Sequence, residues 1–256
     1  MPQKKLQFDL TSFRQQFQGK NLPPGDLVCA IGGYFLGAPY MPGTLESGHK
    51  EKLVVNTAQF DCFTFVETVL ALFQCVAAGK ITKSELGRTL QLIRYRQGII
   101  DGYSSRLHYF TDWLRDNEQK KLLQDVSRKL GAVSQRKKIH YMTSHREAYA
   151  ALADEDEFRK MQSAEKNMSR RVIRLIPQDK VHRQKENIQS GDIIAFTVAV
   201  EGLDVTHVGF AFQQGKNLHL LHASSKEGAV VVSTKTLVAY LQQRKSNTGI
   251  IVARVL

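Results

Sequence analysis

The sequence has few cysteines and few prolines for its length. Its 256 residues include three cysteines, at positions 29, 62 and 75, and six prolines. An odd number of widely spaced cysteines with no Cys-x-x-Cys pair excludes a disulfide framework and leaves at least one thiol free. With 42% hydrophobic and 9% aromatic residues, the chain is neither disordered nor collagen-like. It is long enough to bury a core without metal or disulfides.

Long uninterrupted hydrophobic runs are also missing. The two most apolar stretches, 28–41 and 62–78, are broken by glycine, proline or polar residues and are too short to cross a bilayer. The first ten residues contain two lysines but no hydrophobic segment of signal-peptide length. We therefore predict no transmembrane segment, and a signal peptide was either removed from this chain or never part of it.

Acidic residues are outnumbered by basic ones. The chain has 36 Lys and Arg against 24 Asp and Glu, a formal net charge of +12. Such an excess favours anionic partners such as nucleic acid, acidic lipid or an acidic polymer. The basic residues are dispersed through mixed-charge segments such as 136–138 and 166–174, without interleaved aromatic residues or a DNA-reading motif. We predict that nucleic acid is not a partner.

Apolar residues at three- and four-residue spacings predict helices over the first two-thirds of the chain. The predicted helices span 6–17, 25–36, 62–78, 82–96 and 111–117, and a more polar one spans about 144–168. A loop over 37–56, rich in proline and glycine, has the composition of a segment that lines a cleft.

From residue 190 onward, period-two alternation and continuous apolar runs predict strands. These span 192–200, 205–212, 217–223, 229–233 and 249–255, with a short helix over 236–243 before the last strand. Helices early in the chain and strands late are typical of the α+β class with an antiparallel sheet.

Cys62 opens the third predicted helix. Asp61 is a good N-cap, and the residues that follow form a core-facing stripe of Val66, Val69, Leu70, Phe73 and Ala77. A cysteine in the first helical turn lies near unpaired N–H groups and the positive end of the helix dipole, and both favour the nucleophilic thiolate. Cys29 is interpreted as a core residue, and Cys75 lies on another side of the helix from Cys62.

Two histidines fall on a predicted hairpin. If Gln214 and Gly215 form a two-residue turn, His207 lies directly opposite His222 on one face, with Cβ atoms about 4.5–5.5 Å apart. His219 has the other parity and points away.

Nucleophilic acyl chemistry requires a thiol, a base and a third polar group that orients the base. We assign these roles to Cys62, His207 and His222. The same side chains suit a zinc site, although no fourth ligand has an evident spacing.

Several motifs resemble a known family. Asp61-Cys62, Gly191-Asp192-Ile193 and the segments 206–209 and 221–224 look like the NlpC-type peptidoglycan hydrolases, which are papain-like cysteine amidases. More specifically, the order of segments 33–40, 60–67, 105–109, 202–209 and 222–225 resembles the N-acetylmuramoyl-L-alanine amidase-like branch, long catalogued as a domain of unknown function. Phe63-Thr64 replace the Ser-Gly of most NlpC-type members, which favours this specialised branch.

The resemblance implies a papain-like, NlpC-type α+β fold in which the catalytic Cys62 begins a helix packed on the C-terminal sheet. It implies one domain over 1–256 with a helical insertion at about 80–186. It also implies cleavage of the amide between the lactyl group of N-acetylmuramic acid and L-alanine, by Cys62, His207 and His222 through a thioester, without a metal or other cofactor.

Six further residues are predicted to bind substrate: Tyr40, Asp61, Ser105, Arg106, His108 and Tyr109. The backbone N–H of Cys62 and the Tyr40 hydroxyl are candidate oxyanion donors, and Arg106 is a candidate partner for a stem-peptide carboxylate. Asp61 either caps its helix or receives a substrate amine. The segment 105–109 either contacts substrate or forms a capped loop with Tyr109 in the core.

Other functions remain open at this stage. They are a D-glutamyl-diamino-acid endopeptidase of the same fold, a noncatalytic module that binds an anionic polymer, and a zinc protein. A peptidoglycan or muropeptide partner implies the periplasm or cell envelope, whereas the missing signal leaves a cytoplasmic enzyme or a secreted effector as alternatives.

Overall fold

The structure, a computed structural model, describes residues 8–46 and 50–256. The helices are α1 (Leu10–Phe17), α2 (Pro24–Tyr34), α3 (Cys62–Ala77), α4 (Lys83–Arg94), α5 (Phe110–Gln119), α6 (Tyr141–Ser144), α7 (Glu155–Ser169) and α8 (Leu237–Leu241). The strands are β1 (Leu123–Asp125), β2 (Val133–Arg136), β3 (Val172–Pro177), β4 (Ile193–Val198), β5 (Val205–Gln214), β6 (Asn217–Ser224), β7 (Ala229–Val232) and β8 (Asn247–Val255).

Within the described residues, the strands form one eight-stranded sheet in the order β2-β3-β8-β4-β5-β6-β7, with β1 also paired to β8. Every pairing is antiparallel. β8, the last strand in the chain, lies between β3 and β4 and is therefore hydrogen-bonded on both sides. The protein is an α+β protein with N-terminal helices packed on a C-terminal antiparallel sheet, as the hydrophobic pattern predicts.

Hydrophobic side chains cover both faces of the sheet. On one face, Phe65 and Val69 of α3 belong to the same buried cluster as Phe210 of β5. On the other face, Phe196 of β4 and Leu241 of α8 belong to a second cluster. Because successive strand residues point to opposite faces, the even-numbered residues of β5 from Val208 onward face α3 and the odd-numbered ones from His207 onward face α8. The pairing with β4 skips Thr206, and Val205 packs on the α3 side.

A capping box determines where α3 begins. Oδ1 of Asp61 accepts hydrogen bonds from the N–H groups of Phe63 at 3.0 Å and Thr64 at 2.7 Å, and the Thr64 hydroxyl accepts from the Asp61 N–H at 3.0 Å. Such a cap stabilises a helix by about 0.5–2 kcal/mol. Cys62 is therefore the first helical residue.

Two predicted helices begin later than the periodicity indicates, and in both cases an aspartate cap is the reason. Asp9 accepts from the N–H groups of Thr11 and Ser12, so α1 begins at Leu10; the predicted start at residue 6 lies outside the described residues. Asp154 caps α7, which begins at Glu155 instead of about 144. The preceding residues form α6 and short 3₁₀ turns.

Three strands were not predicted. β1, β2 and β3 lie between residues 123 and 177, where the sequence analysis places only helices. β2 is exposed along its whole length and pairs only with β3, so it carries no hydrophobic alternation. β1 has three residues and is too short for a periodic signal. The organisation as one domain with an insertion at about 80–186 stays a prediction.

Candidate active site

The β5–β6 hairpin brings two histidines into contact. Nε2 of His207 lies 2.7 Å from Nδ1 of His222. The two rings are edge to face, with centroids 4.8 Å apart. Because Nε2 is engaged in this hydrogen bond, Nδ1 is the His207 nitrogen available to a reacting group.

The register of this hairpin differs from the prediction by two residues. Gln214 pairs with Asn217, so Gly215 and Lys216 form the turn. Gly215 has a φ of 59°, and glycine is favoured at the first central position of a two-residue turn. His222 therefore lies beside Gly209, and the predicted direct opposition of the two histidines is wrong.

The shift preserves parity, so the two histidines still share a face and meet diagonally. A Cβ on Gly209 would lie 2.8 Å from Cβ of His222, and only glycine allows this approach. His219 has the opposite parity, as predicted, and its Nδ1 lies 2.8 Å from the Ser233 carbonyl oxygen.

Cys62 lies beside the end of this hairpin. The β5–β6 ladder ends at the pair of Phe210 and Leu221, and the Val208 N–H beyond it lies near enough to the Cys62 sulfur to lower the pKa of the thiol. Cys62 and His207 line one groove of about 240 Å³. Among the described contacts, no hydrogen bond joins the sulfur to the His207 ring. The predicted trio of Cys62, His207 and His222 is thus brought together around one site.

All three side chains are neutral at neutral pH; His222 is buried, whereas Cys62 and His207 are half-buried. Burial, and then the Asp61 carboxylate, raise the pKa of the Cys62 thiol to about 12, although the N–H groups of Val208, Cys62 and Phe63 lower it. Burial lowers the pKa of His207 to about 3, with the neighbouring His222 adding to the effect, and burial lowers the pKa of His222 to about 4. The predicted preference for a resting thiolate is therefore outweighed by desolvation.

Aromatic rings form much of the groove wall. They are Phe63, Tyr103, His108, Tyr109, Phe110, Tyr141 and Tyr149. The Tyr109 hydroxyl donates to Oε1 of Glu165 at 2.7 Å and accepts from the Met142 N–H at 2.9 Å, so this ring is held on both sides. Glu46 and Asp204 are the acidic residues of the lining. The groove wall is therefore mainly aromatic, with Glu46 paired to Arg106 and Asp204 buried.

Tyr40 and Asp61 lie close to the thiol. Tyr40 forms a β-bridge with Phe60, and its pKa is raised first by burial and then by its neighbours Cys62 and Asp61. Asp61 uses Oδ1 in the helix cap. The 37–56 loop that carries Tyr40 includes residues 47–49, which lie outside the described part of the chain.

Ser105 lies away from the thiol. Its hydroxyl donates to the Gly102 carbonyl oxygen at 2.6 Å and accepts from the Asp101 N–H at 3.0 Å. It lines a separate cleft with Arg159 and Lys160. A role for Ser105 in substrate binding stays a prediction.

Arg106 and His108 brace the groove wall. The buried Arg106 guanidinium lies 2.7 Å from Glu46 and 3.6 Å from Glu51, and it stacks over Tyr103 at 4.7 Å. Nε2 of His108 lies 2.9 Å from the Tyr103 carbonyl oxygen, and burial lowers the pKa of His108 well below its usual value. Arg106 is therefore already paired with two carboxylates in this structure.

The sequence analysis missed an aromatic shell around the histidine pair. The ring of Tyr240, on α8, stacks on His207 at 6.0 Å and meets His222 edge-on at 5.2 Å. Phe196 lies 5.8 Å from His207. No motif surrounds Tyr240, and only the packing of α8 on the sheet brings it here.

A second cavity also borders the histidine pair. Its volume is about 220 Å³, and its lining includes His207, His222, Tyr240, Lys226, Lys235 and Arg244. His207 lines both this cavity and the groove, whereas Cys62 lines only the groove. We call it the rear cavity.

Two features are absent from residues 8–46 and 50–256. No group of three His, Cys, Asp or Glu side chains there is placed to hold a metal ion. None of the helices in these ranges combines the length and apolar character needed to cross a membrane.

The fold and the site together define an amidase-like α+β protein. The chain belongs to the N-acetylmuramoyl-L-alanine amidase-like family, whose model matches residues 30–250. The predicted family resemblance is thereby confirmed. None of the curated proteins matches the chain.

Solved structures share this fold. An N-acetylmuramoyl-L-alanine amidase from Bacteroides uniformis is 39% identical, with a TM-score of 0.87 over 91% of this chain and 99% of that chain. A Bacteroides fragilis protein named as a xylanase is 41% identical, with a TM-score of 0.84 over 88% of this chain and 100% of that chain. A Legionella pneumophila protein of the DUF1460 family, 21% identical over 96% of this chain and 94% of that chain with a TM-score of 0.71, shows the same fold.

Proposed function

We propose that the protein is a cysteine-dependent N-acetylmuramoyl-L-alanine amidase with a papain-like, NlpC-type site. The observation that carries the proposal is the grouping of Cys62 and His207 in one groove, with His222 hydrogen-bonded to His207. Membership of the amidase-like family supports the bond that is cut. The substrate is peptidoglycan or its muropeptide fragments, and we place the protein in the periplasm or cell envelope.

The first step is attack by the thiol. Because thiol and imidazoles are neutral at rest, the Cys62 proton passes to Nδ1 of His207 as the sulfur bonds to the lactyl carbonyl carbon. The carbonyl π electrons move to oxygen. His222 accepts the Nε2–H of His207, holds the ring in the reactive tautomer and stabilises the imidazolium that forms.

The oxyanion requires hydrogen-bond donors. Asp61 occupies the N–H groups of Phe63 and Thr64, which leaves the Cys62 N–H at the helix start for the oxyanion. The Tyr40 hydroxyl is the proposed second donor, on the basis of its proximity to Cys62. Loss of one such donor typically lowers kcat by about 10²–10³.

Collapse of the intermediate breaks the carbon–nitrogen bond. The imidazolium of His207 gives its proton to the departing nitrogen of L-alanine, and the muramoyl group stays on sulfur as a thioester. His207 then takes a proton from water, whose oxygen attacks the thioester carbonyl. The carbon–sulfur bond breaks, and the proton on His207 returns to the thiolate.

The test is digestion of defined muropeptides, with products read by mass spectrometry. We expect release of the intact stem peptide beginning with L-alanine, inactivation by iodoacetamide and no inhibition by a chelator. Cys62→Ala is expected to remove activity, because no other group in the groove replaces the nucleophile. Cys75→Ala is the matched control, since Cys75 is buried on the same helix away from the groove.

The outcomes separate the alternatives. Undiminished cleavage by Cys62→Ala would end the proposal. A product cut after D-glutamate would identify an endopeptidase, and loss of activity on chelation would identify a metal-dependent enzyme.

A further inference from the structure

We propose that one edge of the sheet docks the protein on an acidic lipid surface. This edge consists of β2, β3 and two 3₁₀ turns that pack beside them, Ser127–Leu130 and Gln178–Arg183, with the residues that flank these elements. We call it the basic edge. It lies outside the candidate active site, and its binding to lipid requires no amide cleavage.

The fold collects most of the net charge of the chain at the basic edge. Residues 126–138 and 170–185 contain 11 of the 36 Lys and Arg residues but only one of the 24 Asp and Glu residues, Asp179. These two segments therefore carry ten of the chain's twelve net positive charges. The antiparallel pairing of β2 with β3 brings them side by side. Basic residues that are dispersed along the sequence are thus gathered in the structure.

The two turns extend this surface beyond the strands. Leu130 of the first turn and Val181 of the second belong to the same buried cluster as Ile176 of β3. A Cβ on Gly131 would lie 3.6 Å from Nε2 of Gln184, so the ends of the two turns are neighbours. The turns and the strands therefore form one continuous surface.

Most of the positive charge on the basic edge is uncompensated. Arg171 pairs with Asp112 at 2.6 Å, and Lys137 donates to the Val198 carbonyl oxygen, so neither counts toward the free charge. The other nine basic side chains are exposed, and within the described part of the chain none of them takes part in an ion pair. They are Arg128, Lys129, Arg136, Lys138, Arg170, Arg174, Lys180, Arg183 and Lys185. Such a surface attracts a polyanion.

Protection of the edge strand explains only part of this charge. Charged side chains on an exposed edge strand prevent it from pairing with another chain, and Arg136 on β2 suits that purpose. The two turns are not edge strands, yet they carry Arg128, Lys129, Lys180 and Arg183. Their charge is therefore available for a partner.

An apolar cavity beside the basic edge favours lipid over a hydrophilic polymer. Its volume is about 290 Å³, and its apolar lining consists of Val181, Leu218, Leu237 and Val238. His182, Lys185 and Lys216 line it as well. Apolar walls next to cations suit an anionic amphiphile, because the acyl chain needs apolar surroundings and the headgroup needs positive charge.

The composition of the basic edge disfavours nucleic acid. Residues 126–138 and 170–185 contain no Phe, Trp or Tyr. Surfaces that bind single-stranded nucleic acid stack the bases on aromatic rings. The basic edge therefore supplies charge without stacking, as an acidic membrane surface requires.

The position of the basic edge leaves the candidate active site accessible. β2 is the outermost strand, and β5, which carries His207, lies four strands away, about 19 Å at the usual strand spacing. None of the nine exposed basic residues lines the groove or the rear cavity. A chain docked through the basic edge therefore keeps its groove free for substrate.

The experiment measures sedimentation of the full chain with lipid vesicles. One set of vesicles contains equal parts of phosphatidylglycerol and phosphatidylcholine, and the other contains phosphatidylcholine alone. The test variant combines Arg136→Gln, Arg174→Gln and Lys180→Gln. The control combines Lys20→Gln, Lys80→Gln and Lys83→Gln, which removes the same charge from exposed lysines outside the basic edge. Circular dichroism checks that both variants fold.

We expect the unaltered chain to bind only the vesicles that contain phosphatidylglycerol, and to bind them more weakly as salt is added. The test variant should bind about a hundredfold more weakly, because each basic residue near an acidic membrane contributes roughly a factor of five. The control should bind nearly as well as the unaltered chain.

Three results would overturn the proposal. The first is the absence of binding to phosphatidylglycerol vesicles. The second is an equal loss in the two variants, which would assign the binding to net charge and not to the basic edge. The third is binding of soluble polyglutamate as tight as that of vesicles at the same concentration of anionic charge, which would identify a polymer-binding surface. Because sedimentation needs no turnover, it reports on the basic edge even in a chain that cuts no amide.

Discussion

The two regions that meet at the candidate site are built in different ways. Regular backbone structure positions the three residues that we propose to react: a capping box places Cys62, and the β5–β6 hairpin places His207 and His222. The groove wall between residues 103 and 149 instead depends on contacts between distant segments. Tyr109 is held by Glu165, and Ser104 by Glu157 at 2.7 Å. Local structure therefore positions Cys62, His207 and His222, whereas long-range polar contacts determine the shape of the groove beside them.

The largest expected effect is a loss of activity on changing a histidine of the β5–β6 hairpin. His207→Gln should lower kcat/KM by about 10³, because general acid–base catalysis contributes about 10²–10⁴. Steady-state kinetics on a defined muropeptide measure it, with circular dichroism as a check on folding. His219→Gln is the matched control, since His219 points to the other face of the same hairpin. An equal loss of kcat/KM in both variants would show that activity depends on the intact hairpin and not on His207 as a base.

A structural change in the groove wall should cost less activity but more stability. Arg106→Met leaves the buried Glu51 and the partly exposed Glu46 without their cation, and breaking a buried pair costs about 3–5 kcal/mol. Urea unfolding measures the loss. Arg88→Met, which removes an exposed pair with Glu85, should change stability by less than about 1 kcal/mol. Similar unfolding midpoints for the two variants would mean that the wall does not depend on Arg106.

Acid should lower the stability of the folded protein, because His207 and His222 stay neutral only while it is folded. The folded protein keeps His207 neutral to about pH 3 and His222 to about pH 4, whereas the unfolded chain takes up these protons near pH 6.5. Stability therefore falls as the pH drops below about 6.5, by up to about 1.4 kcal/mol per pH unit for each histidine. Urea unfolding at pH 7 and pH 5 measures this.

The matched comparison is His222→Gln, which removes one of the two proton-binding sites. This variant should lose less stability than the wild type between those pH values. A wild type and variant with the same pH dependence would contradict the burial of neutral His222.

The smallest expected effect concerns the shell around the histidines. Tyr240→Ala removes the ring that contacts both imidazoles, and we expect kcat to fall about tenfold because their geometry loosens. Tyr240→Phe keeps the ring and should retain wild-type kinetics. If the phenylalanine variant is as slow as the alanine variant, the hydroxyl and not the packing is responsible.

The placement of Cys62 at a helix start and of His207 and His222 on one face was predictable because the signals are local. Asp61 before Cys62 marks a helix start within four residues of sequence, and the parity of His207 and His222 survives a shift of two residues in the turn. The register itself was not predictable, since it depends on which position of the turn Gly215 occupies. β2 escaped prediction because an exposed edge strand has no buried face to impose a pattern.

The amino-acid sequence by itself determined the α+β class, the helix start at Cys62 and the shared face of the two histidines, because each follows from capping or from strand periodicity. Only the tertiary structure decided the rest. It paired Arg106 with Glu46 and Glu51, brought Tyr240 onto the imidazoles, and left Lys226, Lys235 and Arg244 around a second cavity. These contacts join residues far apart in the chain, and burial made the thiol neutral where the helix start alone favours a thiolate.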